Sequence, residues 1–137
     1  MDELRDAALH ALDCARKAGA YAADVAISQG ESFEARVRGT AIDFVKQSRE
    51  RSLSVRVFYG GRGGLSSATT RSNDLTPSVI ASVAADAVAL AIATVPDPCA
   101  GLPDGGFAVD SPDLALFDPR DHPFDRGDVV EAPAAEV

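Results

Sequence analysis

Apolar residues recur at three- and four-residue steps near the start of the chain: Leu4, Ala8, Ala11, Leu12 and Ala15. That spacing lays one apolar stripe along a helix, predicted over residues 3–18. Asp2, Glu3 and Asp6 at its start, and Arg16 and Lys17 at its end, suit the helix dipole, and Gly19 is the expected stop.

The pattern then changes period. Val25 and Ile27 alternate with polar or small neighbours, as do Phe33, Ala35 and Val37, and Leu53, Val55, Val57 and Tyr59. Period two with one charged side predicts half-buried antiparallel strands. Ile42–Val45 adds a fourth strand and Leu65–Thr70 a fifth, with turns expected at Gly30-Glu31, Gly39-Thr40 and Gly60-Gly61. Asp74-Leu75-Thr76-Pro77 opens a second helix, with Thr76 as the cap and Pro77 in the first turn, running to about Val95 before Pro96.

The order of elements is helix, about five short strands, helix. It predicts an α+β two-layer sandwich, an antiparallel sheet with both helices packed on one face. In that register Val55 and Val57 point inward against Ile80, Val83, Ala84 and Ala87, while Ser54 and Arg56 point outward. The second helix is apolar nearly all round, so Val88 and Ile92 are expected on a second face that needs another neighbour. Leu102, Phe107, Leu114, Leu116 and Phe117 of the following segment are one way to cover it; a partner is the other.

Charge marks a boundary. Residues 1–95 hold 11 acidic and 11 basic side chains, whereas 96–137 hold ten acidic and two basic, so the last segment carries the whole net charge of −8. It also holds seven of the eight prolines. The expected division is a folded unit at 1–100 and an acidic, Pro-rich linker at 101–137. The acidic balance argues against non-specific nucleic-acid binding, which needs basic groups to replace phosphate counterions. The apolar run 78–95 is mostly Ala and contains Asp86, so it reads as a buried helix and not a membrane span. With an acidic start and no apolar stretch behind it, the expected location is the cytoplasm, with Cys14 and Cys99 as thiols.

Three local patterns bear on chemistry. Asp6, His10 and Cys14 share one face of the first helix and are metal-ligand types. No second ligand motif supports them, and a solvated helix face is the better reading. Tyr59-Gly60-Gly61-Arg62-Gly63-Gly64 is glycine-rich, but strand pattern flanks it on both sides, so it reads as a hairpin rather than a phosphate cradle. Residues 34–71 hold eight basic and three acidic side chains, a face that could accept nucleic acid or an acidic peptide, although the solvent face of a sheet or a salt-bridged interface is the better reading. Ser66, Ser67, Thr69 and Thr70 have no histidine in the same segment to act as base. No catalytic, cofactor-binding or metal residue is assigned.

The run Ala15-Arg16-Lys17-Ala18-Gly19-Ala20-Tyr21-Ala22-Ala23-Asp24-Val25 resembles the opening of the TldD/PmbA family. Ser32–Arg38, Ser52–Phe58, Gly64–Thr69 and the helix after Asp74-Leu75-Thr76-Pro77 follow in that family's order. Pro96-Asp97-Pro98-Cys99-Ala100-Gly101-Leu102-Pro103 is similar to a junction of its PmbA (TldE) branch. The resemblance covers residues 1–119 and corresponds to the N-terminal domain alone. From Arg120 onward the chain departs from the pattern, as a truncated product or a short stand-alone domain would.

The resemblance implies a two-subunit zinc metallopeptidase acting on flexible peptides. In it the TldD-type subunit carries an HExxxH motif, and the PmbA-type subunit is its partner. No HExxxH occurs in this sequence. The chain is therefore expected to be a non-catalytic scaffold with no cofactor of its own, zinc residing only in a TldD-type partner. Its expected partners are that subunit or the family's C-terminal domain, with self-association as a further route and the flexible peptide as the substrate of the assembly. Val88, Ile92, Arg36, Arg38 and Arg56 are the candidate partner-contacting residues. The alternative is a stand-alone protein- or nucleic-acid-binding module using the basic sheet face, and the enzyme alternative is a metal hydrolase built on Asp6, His10 and Cys14.

Overall fold

A computed structural model describes residues 2–39, 41–106 and 113–116. The elements are α1 (Asp2–Lys17), β1 (Ala22–Arg38), β2 (Ala41–Gly61), β3 (Gly64–Ser72) and α2 (Pro77–Ile92). They form an α+β fold with one antiparallel sheet in the order β1-β2-β3. Among the described residues the sheet has three strands, not five. Gly30 is not a turn, because it stays extended within β1, and Gly39, at φ +62°, makes the reversal instead. The polar stretch 46–52 continues β2 where the alternation of apolar residues had faded. Cross-strand side chains replace it there: Ser28 with Ser52 at 2.8 Å, and Arg51 Nε donating to Gln29 Oε1 at 2.9 Å.

The described residues divide into two compact units, 2–30 with 50–104, and a second built on 31–49. The first contains the core. Ala11 and Ala15 of α1, Leu53, Val55 and Val57 of β2, and Ile80, Ala84, Ala87, Val88 and Ala91 of α2 are buried together. Val55 and Val57 point in and Arg56 points out, so the predicted register holds. Alanines at one-turn spacings let α1 and α2 approach closely, while Leu53, Val55, Val57 and Ile80 supply the bulk. Each such side chain removed from water contributes about 1.5–3 kcal/mol.

Local chemistry sets the ends of the helices. Ala20 N–H donates to Ala15 O and Gly19 N–H to Arg16 O, both at 3.0 Å, with Gly19 at φ +103°. This is the Schellman arrangement, and Gly19 stops α1 as expected. At the start of α2, Thr76 occupies the cap position without capping through its side chain. Its hydroxyl donates to Asp74 Oδ1 at 2.5 Å, and its backbone N–H donates to the same oxygen at 2.8 Å. The helix ends at Ile92, short of Val95, where Thr94 Oγ1 donates to Leu90 O at 2.8 Å.

Two strand hydroxyls tie β3 to α2. Ser66 Oγ donates to Ala91 O at 2.5 Å, and Thr70 Oγ1 donates to Val83 O at 2.8 Å. After α2 the chain returns to the sheet, where Leu65 N–H donates to Asp97 O at 3.1 Å and Asp97 N–H to Leu65 O at 3.0 Å. Gly64, at φ +114°, permits this closeness, because a Cβ there would sit 2.8 Å from the Asp97 carbonyl.

The second unit holds the far end of the β1–β2 hairpin. Ser32 and Ser48 hydroxyls meet at 2.6 Å and Arg49 Nε donates to Glu31 Oε1 at 2.6 Å. Val37, Ile42 and Val45 are exposed here, and Phe33, Ala35 and Phe44 are half-buried. Phe107 and Phe117 lie outside the described residues; Leu114 and Leu116 are exposed.

Candidate functional site

The face of α1 bearing Asp6, His10 and Cys14 borders an open groove of about 360 Å³, closed on the other side by Leu75, Pro77 and Ile80. His10 Nε2 lies 3.3 Å from the Pro77 carbonyl, which can only accept, so that nitrogen carries the proton of this bond. Cys14 Sγ stands 3.7 Å from the same nitrogen. The histidine thus links α1 to the first turn of α2. Among the described residues no group of three His, Cys, Asp or Glu side chains is placed to hold a metal.

On the outer sheet face Arg56 grips Asp24 across the strands. Nε donates to Oδ1 at 2.9 Å and to Oδ2 at 3.2 Å, and Nη2 donates to Oδ2. The hydrogen bond from Arg56, and then the attraction of the carboxylate, raise the guanidinium pKa above its usual value. The same guanidinium lies 5.3 Å from the Phe58 ring centre. Arg51 Nη1 is 3.6 Å from Glu3.

The hairpin arginines are engaged as well. Arg36 lies 3.7 Å from Glu34 and 4.7 Å from the Phe44 ring centre, and Arg38 is 3.7 Å from Asp43. Arg36, Arg38, Arg49, Arg51 and Arg56 of the basic run are thus paired with carboxylates in the fold, which lowers its appeal to a polyanion.

The two α2 candidates separate. Val88 is 3% exposed and belongs to the core, so its expected outward position is corrected: Ala84, Ala87, Val88 and Ala91 together form a wider buried stripe than the sequence suggested. Ile92 is 56% exposed, and Leu90 and Val95 are exposed near it in sequence. No helix among the described residues is long and apolar enough to cross a membrane.

The residues that tie β3 to α2 and to the chain after it, Ser66, Thr70, Gly64 and Asp97, stand in the sequence only as strand hydroxyls, a hairpin glycine and part of a junction. Their signal was the small, polar inward positions of β3 facing an alanine-rich helix.

A two-layer α+β domain built on paired surface charges and a helix-to-strand clasp is what the fold and its surfaces define. A family described as PmbA/TldA metallopeptidase domain 1 matches residues 23–91, from β1 to the last turn of α2. The chain belongs to the PmbA/TldD family and corresponds to its N-terminal domain region. It is 34% identical over 125 residues to the metalloprotease PmbA homolog of Haemophilus influenzae, covering 90% of this chain and 27% of that protein. It is 35% identical over 100 residues to metalloprotease PmbA of Escherichia coli O157:H7, covering 72% of this chain and 21% of that protein. The chain thus spans about a quarter of the length of these curated relatives.

Proposed function

We propose that this domain is a non-catalytic scaffold in a PmbA/TldD-type metallopeptidase system. It engages a TldD-type subunit or a PmbA-type C-terminal domain, and the assembly cleaves flexible peptides in the cytoplasm. The observation that carries this reading is the match to domain 1 of a metallopeptidase family in a sequence without HExxxH. The free thiols of Cys14 and Cys99 suit a reducing compartment. Zinc and its ligands belong to the TldD-type partner. Ile92, with Arg36, Arg38 and Arg56, forms the candidate contact set, and Val88 drops out of it because it is buried.

The test is co-purification of the full chain with a TldD-type subunit, with metal content and peptide hydrolysis measured for the chain alone and mixed. The expected result is a complex, with zinc and hydrolysis following the partner. Stoichiometric zinc in the chain alone that disappears in His10→Ala would overturn it.

A further inference from the structure

β1 is an edge strand, with β2 on one side and, among the described residues, no strand on the other. Within the second unit it presents Ser32-Phe33-Glu34-Ala35-Arg36-Val37-Arg38 along that edge. An exposed strand edge is a row of backbone donors and acceptors ready to pair, and native proteins usually blunt it with charged side chains, bulges or proline. This segment has no proline, and its charges, Glu34, Arg36 and Arg38, are of both signs, so an incoming strand can meet them with opposite charge.

Its side-chain order has a specific symmetry. In antiparallel pairing, directly opposite residues point to the same face, so a two-fold axis through the strand must pass through a residue. With the axis at Ala35, Glu34 stands opposite Arg36 of the second copy, and Arg36 opposite the other Glu34. Phe33 stands opposite Val37 and Ala35 opposite Ala35. The neighbouring registers fail: an axis at Glu34 sets two glutamates face to face, and an axis at Arg36 sets two arginines face to face, where like charges destabilise. We propose that residues 32–38 of β1 pair antiparallel with the same residues of a second copy of this chain, about a two-fold axis at Ala35.

The surroundings fit that pairing. Glu34 and Arg36 are exposed and 3.7 Å apart within one strand, so each is placed to exchange its neighbour for the opposite charge across the axis. Val37 is 46% exposed, and Phe33, Ala35 and Val37 share one face by alternation. Pairing extends the two-stranded hairpin end, a form of marginal stability by itself, into four strands, with Phe33, Ala35 and Val37 of the two copies side by side on one face. The inference stands on strand chemistry and does not depend on the proposed function.

The test is sedimentation of the full chain over a concentration series, with circular dichroism to check folding. The expected result is a concentration-dependent doubling of mass for the wild type. Glu34→Arg and Arg36→Glu each bring like charges together and should leave folded monomer, while the double variant restores the opposite pairing and the dimer. In a Cys14→Ser, Cys99→Ser background, Ala35→Cys should oxidise to a covalent dimer and Val37→Cys should not. A monomeric wild type at about millimolar concentration, dimer persisting equally in both single variants, or no rescue in the double variant would each overturn the proposal.

Discussion

The Ser66 hydroxyl donates to the Ala91 carbonyl at 2.5 Å inside the domain, where the side chain is 3% exposed, and lies 3.1 Å from Tyr59 O as well. It fastens the last turn of α2, whose carbonyls lack full helical partners, to the third residue of the last strand. Ser66→Ala removes that donor and leaves a buried carbonyl less satisfied. Urea unfolding should show a loss of about 1–2 kcal/mol. A change within error would mean that the bond carries no net stability.

Gly64 is held by conformation and by space. Gly64→Ala places a Cβ against the Asp97 and Pro98 backbone at a φ of +114°. The expected cost is about 1–3 kcal/mol. Gly61→Ala, whose Cβ would meet nothing within 4 Å, is the control and should unfold close to the wild type in thermal denaturation.

Val88 and Ile92 should respond oppositely to charge. Val88→Lys buries an unpaired ammonium in the core and should leave little folded protein, a penalty of several kcal/mol being comparable with a domain's whole stability. Ile92→Lys changes an exposed position and should leave the circular dichroism spectrum and melting temperature nearly unchanged.

Acid should weaken the domain through two aspartates. The Thr76 hydroxyl and then its backbone N–H hold Asp74 below the usual 3.8, and hydrogen bonds from Lys17 and then Arg16 do the same for Asp13. A depressed folded pKa means that the unfolded chain takes up these protons first. Their contribution is complete above the unfolded value and is lost as pH falls through the folded one. The urea midpoint should therefore fall between about pH 6 and about pH 3, and fall less in Asp13→Asn, Asp74→Asn. An equal fall in both proteins would remove the two carboxylates from the account.

The architecture was legible where one period dominated. Val55 and Val57 declared their face, and Gly19 declared the end of α1. Strand number was not legible, because Gly30 signals a turn only if the backbone needs a positive φ, and it does not. The stretch 46–52 was hidden for a related reason: its pairing is made by serines, Arg49 and Arg51, which carry no hydropathy rhythm. Val88 was misplaced because a helix apolar on most sides has no unique inward stripe; the neighbouring alanines decided it. The arginines were visible as a cluster with Glu34 and Asp43 among them, but the carboxylates that meet Arg56 and Arg51, Asp24 and Glu3, lie far off in the sequence and come to them only in the fold.

The Leu65–Asp97 clasp gives the chain a fixed point of departure after α2. A pull on the backbone beyond Asp97 loads two hydrogen bonds to a sheet strand before it reaches the helix, so α2 is shielded from being peeled off the core. Anything covalently attached downstream swings from an anchored pivot, and its motion can be passed to β3 instead of dissipating in a frayed helix end.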